Sequence, residues 1–245
     1  MSHLLVDIGN TALKWVFEGE GKTFKGVIVL NSQWLEEFKK LTNRWNISKI
    51  YLASVKPSAS KVIKKEFPNL VREITVFDLK RVMAIDYKTP HTLGIDRLLS
   101  AFGGLEFADT FLVVSLGTAT VVDLVLNKTF KGGSIFLGIE RHLRCLYENA
   151  ERLPLVELKG KPPLVGNSTE NAILSGVFYS LKFSFEGFIT EYHQRYGIKK
   201  VLFSGGYSHF FRNVLEIPLP IEVRFFENLT LMGIKRFVKT LKEEG

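Results

Sequence analysis

Two stretches of the chain share one pattern of apolar and polar positions. Residues 4–17 hold an apolar run, a small polar turn that starts at Asp7, and a second apolar run. Residues 111–126 repeat this order around a turn that starts at Ser115. Each stretch predicts a strand, a tight turn and an antiparallel strand. Ser115 follows Asp7 by 108 residues, close to half of the 245-residue chain, which predicts an internal duplication of one domain.

Strand and helix patterns alternate through the rest of the chain, which is typical of an α/β sheet fold. We expect a first lobe of residues 1–107 and a second of residues 108–245, and the sequence does not show on which side the last helix packs. Short apolar runs predict further strands at residues 50–54 and 201–204. Apolar spacing and capping residues predict helices at residues 33–43, 59–67, 95–107, 139–153, 168–196, 207–214 and 229–241.

Bulk composition narrows the class of protein. The chain has a formal charge of +8, but its lysines and arginines are scattered. This is typical of a solvated basic surface or of one that steers small anions, and it is weak support for nucleic-acid binding. The single cysteine, Cys145, excludes an internal disulfide and favours a reducing compartment. With no signal peptide and no uninterrupted apolar run of about 18 residues, we expect a cytoplasmic protein without a nucleic-acid or membrane partner.

The segment from Asp7 to Lys14 has the chemistry of a phosphate-binding hairpin. Gly9 lets backbone amides approach a phosphate, the next two residues carry side-chain donors, and Lys14 adds positive charge. Taken alone, the segment is equally well explained as a hairpin turn without a ligand. The second hairpin, and a third glycine turn at 204–206, favour a site for a polyphosphate and its nucleoside.

A second candidate lies where the helix predicted at 95–107 begins. Here Asp96 and Arg97 follow Gly94 and place a carboxylate beside a guanidinium. A kinase acting on an alcohol that bears a carboxylate needs both, Asp96 to orient or deprotonate the hydroxyl and Arg97 to hold the acid. The alternative is an ordinary helix start, in which Asp96 faces the helix dipole and Arg97 is solvated.

The order of these motifs resembles the superfamily of actin, sugar kinases and heat-shock ATPases. The hairpins at 7–14 and 115–123 are similar to its two phosphate loops, and the turn at 203–207 to its adenosine turn. The resemblance implies a duplicated actin-like (ribonuclease H-like) ATPase fold of the α/β class, with two similar lobes around a nucleotide cleft. Because this superfamily holds kinases, phosphatases and motor-like ATPases, the fold alone does not decide the function.

Four further segments resemble the type III pantothenate kinases: residues 87–97, 132–138, 153–154 and 167–173. With the hairpins, the likeness runs from residue 4 to about residue 234, and motifs in this order and spacing are much more specific than any one of them. The resemblance implies ATP-dependent phosphorylation of pantothenate to 4′-phosphopantothenate, the first step of coenzyme A biosynthesis. It also implies ATP and Mg²⁺ as cofactors, and a homodimer.

The resemblance further implies roles for single residues, with Asp96 as the catalytic base. On chemistry alone, Tyr87 could instead pack at a strand end, Thr169 could be an ordinary first-turn residue, and Thr118 could be a plain turn hydroxyl. The implied ATP contacts are Asp7, Ile8, Gly9, Asn10, Thr11, Ala12, Leu13, Lys14 and Thr118. The implied pantothenate contacts are Tyr87, Gly94, Ile95, Asp96, Arg97 and Thr169.

One position departs from the family pattern. The family usually has an aspartate just before the second glycine turn, where it binds an activating monovalent cation, and this chain has Ser115. Because hard cations prefer carboxylates to neutral hydroxyls, activation by K⁺ or NH₄⁺ is in doubt. For Mg²⁺ the candidate ligands are Asp7 and Asp123, and Asp123 fits equally well a hydrogen bond within the strand turn.

Two other functions fit parts of the sequence. A sugar or acetate kinase of the same superfamily would still need a base, but a sugar kinase has no reason to keep Arg97 beside Asp96. A non-catalytic regulator fits because some relatives of the family were first described as accessory factors for transcription. The phenylalanines of the helix predicted at 168–196 favour either core packing or a subunit contact; they are Phe178, Phe183, Phe185 and Phe188.

Overall fold

The computed structural model describes residues 2–243, which form two compact units. The first unit contains residues 2–106 and the returning segment 228–243, and the second contains residues 107–227. The chain passes from the first unit to the second between residues 106 and 107, one residue before the boundary expected at 107/108. The expected extent of the second lobe, residues 108–245, needs correction at its end, because residues 228–243 belong with the first unit.

The first unit is built on a sheet in which the strands lie in the order β3-β2-β1-β4-β5. Strand β2 is antiparallel to β1 and β3, whereas β4 runs parallel to β1. Its elements are β1 (His3–Ile8), β2 (Ala12–Gly19), β3 (Lys22–Val29), α1 (Trp34–Asn43), β4 (Lys49–Ser54), α2 (Pro57–Glu66), β5 (Val71–Glu73), α3 (Val76–Leu79), β6 (Ala84–Ile85), a 3-10 turn (Pro90–Thr92) and α4 (Ile95–Gly104).

Within the second unit the strands lie in the order β9-β8-β7-β10-β11, so both units repeat one arrangement of a meander followed by parallel strands. Strand β7 begins 108 residues after β1, and the predicted duplication is confirmed. The elements are β7 (Phe111–Leu116), β8 (Ala119–Leu126), β9 (Thr129–Leu137), α5 (Ile139–Asn149), α6 (Thr169–Tyr196), β10 (Lys200–Ser204), a 3-10 turn (Ser208–Phe211) and β11 (Glu222–Phe226). The chain then returns to the first unit as α7 (Leu229–Glu243).

Each sheet buries alternate residues of its strands. In β1, Leu4, Val6 and Ile8 are buried against α1 and α2, which contribute Phe38 and Ile63. Since side chains alternate between the two faces of a strand, Asp7 points to the opposite face. That face carries α7, which contacts β1, and α4, which contacts α7.

Three predicted helices are shorter in the structure by three or more residues, and the first of them, α4, ends at Gly104 instead of residue 107. Helix α5 ends at Asn149 instead of residue 153, because the Asn149 side chain donates to the Cys145 carbonyl at 2.9 Å and Ala150 is extended. The helix predicted at 207–214 is a single 3-10 turn whose Phe211 is buried in the core.

Helix α6 is the one described helix that is long and apolar enough to cross a membrane by length and composition. In the structure 44% of its most apolar window is buried. Ile173, Phe178 and Phe185 of this helix pack into the core of the second unit. We therefore interpret α6 as the core helix of that unit.

Candidate active site

The first hairpin joins β1 to β2 at residues 9–11. Asp7 pairs with Lys14 across the two strands, and the Gly9 N–H closes the turn with a 3.0 Å hydrogen bond to the Ala12 carbonyl. Ile8 and its partner in the hairpin, Leu13, are fully buried, so only their backbone can meet a ligand.

Backbone oxygens at this tip are tied back into the protein. The Asn10 carbonyl accepts from Lys56 Nζ at 3.1 Å, and the Thr11 carbonyl accepts from the Leu30 N–H at 2.9 Å. The side chains of Asn10 and Thr11 are exposed. Because carbonyl oxygens repel a phosphate whereas N–H and O–H groups hold it, this arrangement favours anion binding at the tip.

Asp7 is the acidic group of this hairpin, and its surroundings raise its pKa to about 6. Burial is the main cause, and the nearby charge of Asp96 acts in the same direction. A hydrogen bond of 3.2 Å from Asn228 Nδ2, and the charge of Lys14, partly lower that pKa. Asp7 is therefore a carboxylate with an incompletely compensated charge, ready for a positive ligand.

The start of α4 brings together the second group of predicted residues. A Cβ on Gly94 would lie 2.5 Å from Asp96 Oδ1, so glycine leaves room for the carboxylate to fold back over the helix start. There Asp96 Oδ1 accepts from the Arg97 N–H at 2.9 Å. Arg97 is buried, and its guanidinium lies 5.8 Å from the centre of the Tyr87 ring. Ile95 is buried and anchors this turn in the core.

Burial raises the pKa of Asp96 above its ordinary value, whereas the Arg97 N–H and then the Arg97 charge act to lower it. A carboxylate with a raised pKa accepts a proton more readily at physiological pH than an ordinary aspartate does. The pair therefore has the chemistry of a general base beside a carboxylate-binding cation.

In the second unit, three glycines pack main chain against main chain around the second hairpin. The Gly138 N–H donates to the Thr118 carbonyl at 3.1 Å, and a Cβ on Gly138 would lie 2.0 Å from the Gly117 carbonyl oxygen. A Cβ on Gly205, whose φ is +100°, would lie 2.2 Å from the Leu116 carbonyl oxygen. The hairpin tip, the N-terminus of α5 and the turn after β10 therefore meet at one end of this sheet. A helix N-terminus beside glycine turns favours a bound anion.

The cation candidates of the second unit lie in different places. Ser115, near the end of β7, is in register with Ser204 of β10. Asp123 is buried in the middle of β8, opposite Gly133, and so lies within the sheet rather than at the turn. Asp123 also acts on Tyr192, because burial, then the charges of Tyr196 and Asp123, raise the pKa of the Tyr192 hydroxyl. Across residues 2–243 there is no group of three or more His, Cys, Asp or Glu side chains placed to hold a metal.

Thr169 begins α6 in the second unit and is exposed. It lines a cavity of about 560 Å³ together with His142 and Leu146 of α5 and Ile173 of α6. The preceding residue, Ser168, caps the helix by accepting from the Asn171 N–H at 3.2 Å. Thr169 is thus an accessible hydroxyl at a helix start.

Sequence reasoning missed Asn228, which contacts Asp7 although 221 residues separate them. The one local signal was an asparagine directly before the helix predicted at 229–241, which is a capping position. Such a signal predicts the start of a helix but says nothing about a distant carboxylate.

Comparison with solved structures identifies the fold. A Baf family protein from Campylobacter jejuni matches with a TM-score of 0.67 and 22% identity, over 98% of this chain and 99% of that one. A ROK family glucokinase from Streptomyces griseus matches with a TM-score of 0.52 and 11% identity, over 98% of this chain and 100% of that one. At such identities the likeness shows the fold alone. The chain has the duplicated actin-like ATPase fold that the sequence predicts.

Comparison with sequences defines the family. The model of the type III pantothenate kinase family matches residues 3–191. A type III pantothenate kinase from Christiangramia forsetii is 30% identical over 240 residues, which cover 95% of this chain and 96% of the relative. The chain belongs to the type III pantothenate kinase family, as the sequence motifs predict.

Proposed function

We propose that this protein transfers the γ-phosphoryl group of ATP to the primary hydroxyl of pantothenate, giving 4′-phosphopantothenate in the first step of coenzyme A biosynthesis. The observation that carries this proposal is the start of α4, where Asp96, with its raised pKa, stands beside the buried Arg97. Membership of the type III pantothenate kinase family supports it.

Residues of the first unit account for the acceptor side of the reaction. Arg97 pairs with the carboxylate of pantothenate, and Tyr87 restrains the guanidinium through its ring face. Asp96 aligns the primary hydroxyl and accepts its proton as the oxygen attacks the γ-phosphorus. Thr169, which lies in the second unit, stays a predicted pantothenate contact.

Glycine turns and positive charge account for the donor side. As the new bond forms, the bond from the γ-phosphorus to the β–γ bridging oxygen breaks and ADP leaves. Backbone amides at Gly9, the side chains of Asn10 and Thr11, and the Lys14 charge neutralise the phosphates. Thr118, at the corresponding hairpin of the second unit, stays a predicted ATP contact.

The first hairpin fits a magnesium ion. Kinase sites hold Mg²⁺ through one or two carboxylates together with phosphate oxygens and water, and Asp7 supplies one carboxylate at the hairpin. A cation beside Asp7 also offsets the cost of burying its charge. When bound, Mg²⁺ neutralises phosphate charge. Asp123, buried within β8, fits a structural role instead.

The residues at Ser115 do not fit a strongly bound monovalent cation. Neither Ser115 nor Ser204, its neighbour in register, carries a charged oxygen that could bind the cation. We expect kcat/KM to change less than about twofold when K⁺ is replaced by tetramethylammonium at constant ionic strength. A Ser115→Asp variant should gain activation by K⁺ in the same assay. A tenfold or larger loss for the wild type without K⁺ would refute the expectation.

A substrate panel tests the proposed function. Purified protein with MgATP is given pantothenate, hexoses or acetate, and ADP release is followed by a coupled assay. We expect ADP release to depend on pantothenate, with hexoses and acetate at background. Rapid release with a hexose or acetate would identify a different kinase of this fold.

A regulatory function is the second candidate, because the Baf family protein from C. jejuni is named as a transcriptional activator. A regulator without catalysis would bind nucleotide but release no ADP with any acceptor. The ADP-release panel therefore separates the two.

We further propose that the enzyme is a cytoplasmic homodimer. Of the four phenylalanines highlighted on α6, Phe178 and Phe185 are fully buried and Phe188 packs on the core, whereas Phe183 is 54% exposed. Support for a subunit contact therefore comes from Phe183 rather than from all four. Light scattering of the wild type and of a Phe183→Ser variant measures the oligomeric state.

A further inference from the structure

Asn228 lies where the chain re-enters the first unit, and its side chain makes two hydrogen bonds. Nδ2 donates to Asp7 Oδ2 at 3.2 Å, and Oδ1 accepts from the Leu231 N–H at 2.9 Å. Turning the amide over would set its oxygen against the carboxylate and its NH₂ group against the Leu231 N–H. The observed orientation is therefore the one that satisfies both partners.

Capping α7 does not by itself require asparagine. Serine, threonine and aspartate cap helices about as well, because each offers one oxygen to the first-turn amides. Aspartate has no donor for a neighbouring carboxylate, and the hydroxyl of serine or threonine has a shorter reach. Among these capping residues, asparagine combines an acceptor for the helix with a separate N–H donor for Asp7.

Contacts between α4 and α7 hold Asn228 in place. Ser100 of α4 and Thr230 of α7 share a buried hydrogen bond of 2.9 Å. The helices also cross so closely that a Cβ on Gly233 would lie 2.0 Å from the Leu99 carbonyl oxygen. Since α4 also carries Asp96, the donor to Asp7 and the proposed base belong to one rigid frame.

The other groups that act on Asp7 do not orient it in the same way. Lys14 of β2 attracts the carboxylate through a long and flexible side chain, and Asp96 of α4 repels it. Asn228 supplies a directed hydrogen bond from a side chain that the helix cap holds at its other end.

We propose that Asn228 is a positioning residue, which holds the Asp7 carboxylate in the orientation in which the first hairpin receives MgATP. This inference rests on the proposed kinase function and adds a residue to it. Asn228 acts through Asp7 and is not itself a catalytic residue.

Two substitutions separate this role from helix capping. Asn228→Ser keeps an oxygen for the cap but removes the reach to Asp7. Asn228→Asp also keeps the cap but sets a second carboxylate against Asp7. We expect both to lower kcat/KM for ATP by about tenfold or more, with the KM for pantothenate within about twofold of wild type. Calorimetry with MgAMP-PNP should show a similar loss of nucleotide affinity.

Another helix cap, which makes no recorded hydrogen bond to Asp7, serves as the matched control. Thr75 caps α3 by accepting from the Asp78 N–H at 3.3 Å and belongs to the same unit. Thr75→Ala should lower the melting temperature but leave the kinetic constants and nucleotide affinity at wild-type values. Wild-type affinity and turnover in Asn228→Ser and Asn228→Asp, or losses matched by Thr75→Ala, would overturn the proposal.

Exchanging the two side chains tests the Asn228–Asp7 contact without a kinase assay. Asn228→Asp should lower the melting temperature because two carboxylates then lie within hydrogen-bond distance, and adding Asp7→Asn should raise it by more than Asp7→Asn raises that of the wild type. An equal rise in both backgrounds, or no rise in the double variant, would overturn the contact even if a single variant folds poorly. If the wild type does not phosphorylate pantothenate while the melting temperature recovers, the proposed function fails and the contact stands.

Discussion

Asp7 and Asp96 are two carboxyl groups in one unit whose pKa values are both raised, chiefly by burial. Burying a carboxylate without full compensation costs stability, and active sites are where such costs persist. In the proposed reaction each carboxylate gains a positive partner that its surroundings in the free protein do not provide. Asp7 meets a cation with the nucleotide, and Asp96 meets the proton of a hydroxyl.

Replacing Asp7 by Asn should stabilise the free protein while it removes activity. In the folded protein the pKa of Asp7 is about 6, against an ordinary value of 3.8, so stability falls as pH rises through that window and the deficit persists above it. We expect Asp7→Asn to gain about 1–2 kcal/mol at pH 7.5 in EDTA, measured by denaturant unfolding. The gain should vanish near pH 3, where both side chains are neutral. Lower stability of Asp7→Asn at pH 7.5 would contradict this account.

The raised pKa of Asp96 predicts the acid side of the pH profile. Asp96 must be ionised to accept a proton, so kcat/KM for pantothenate should fall as pH drops through its folded-state pKa. With saturating ATP, we expect the apparent pKa of this limb to lie above the ordinary 3.8 of aspartate. A profile that stays flat down to pH 4 would argue against Asp96 as the base.

At the scale of elements, the crossing of α4 and α7 organises the first unit. A Cβ on Gly103 would lie 2.8 Å from the Leu229 carbonyl oxygen, so glycines on both helices allow their backbones to meet. Arg236 of α7 covers the Phe102 ring of α4 at 4.9 Å. This contact fixes where α4 begins, and hence where Asp96 and Arg97 lie.

Gly233→Ala should disrupt this crossing. The added methyl group would overlap the Leu99 carbonyl oxygen, so the helices must separate at a cost of about 2–3 kcal/mol, beyond the gain of about 1 kcal/mol in helix propensity. Activity should fall along with the melting temperature. Gly187→Ala is the matched control, because this exposed glycine of α6 has nothing within 4 Å of its Cβ position. Gly187→Ala should stabilise the protein, and an equal loss in both variants would contradict the role of the crossing.

Elements with a local signal could be predicted from the sequence. Both hairpins follow from two apolar runs around a small polar turn, and Ser168 and Gly197 bound α6 as a capping residue and a left-handed glycine do. The helix expected at 207–214 had no such stop signal. In the structure this segment is a single 3-10 turn whose Phe211 is buried in the core, and sequence periodicity does not report such packing.

At the scale of the molecule, the chain leaves the first unit after residue 106 and returns at residue 228. The apolar stripe of α7 predicts a helix with one buried face but does not identify the surface that covers it. The Gly94–Arg97 cluster could be predicted because its residues are neighbours in the chain. The Asn228–Asp7 contact could not, because 221 residues separate its two members. Long-range pairing decides both the domain boundary and the environment of Asp7.

Direct detection of 4′-phosphopantothenate by mass spectrometry, with wild-type protein and Asp96→Asn compared at equal concentration, tests the proposed phosphate transfer most directly. We expect the wild type to form one product molecule per ADP released. We expect Asp96→Asn to lose at least about a hundredfold in rate, with a melting temperature no lower than that of the wild type. Near wild-type product formation by Asp96→Asn, or ADP release without pantothenate by the wild type, would contradict the mechanism.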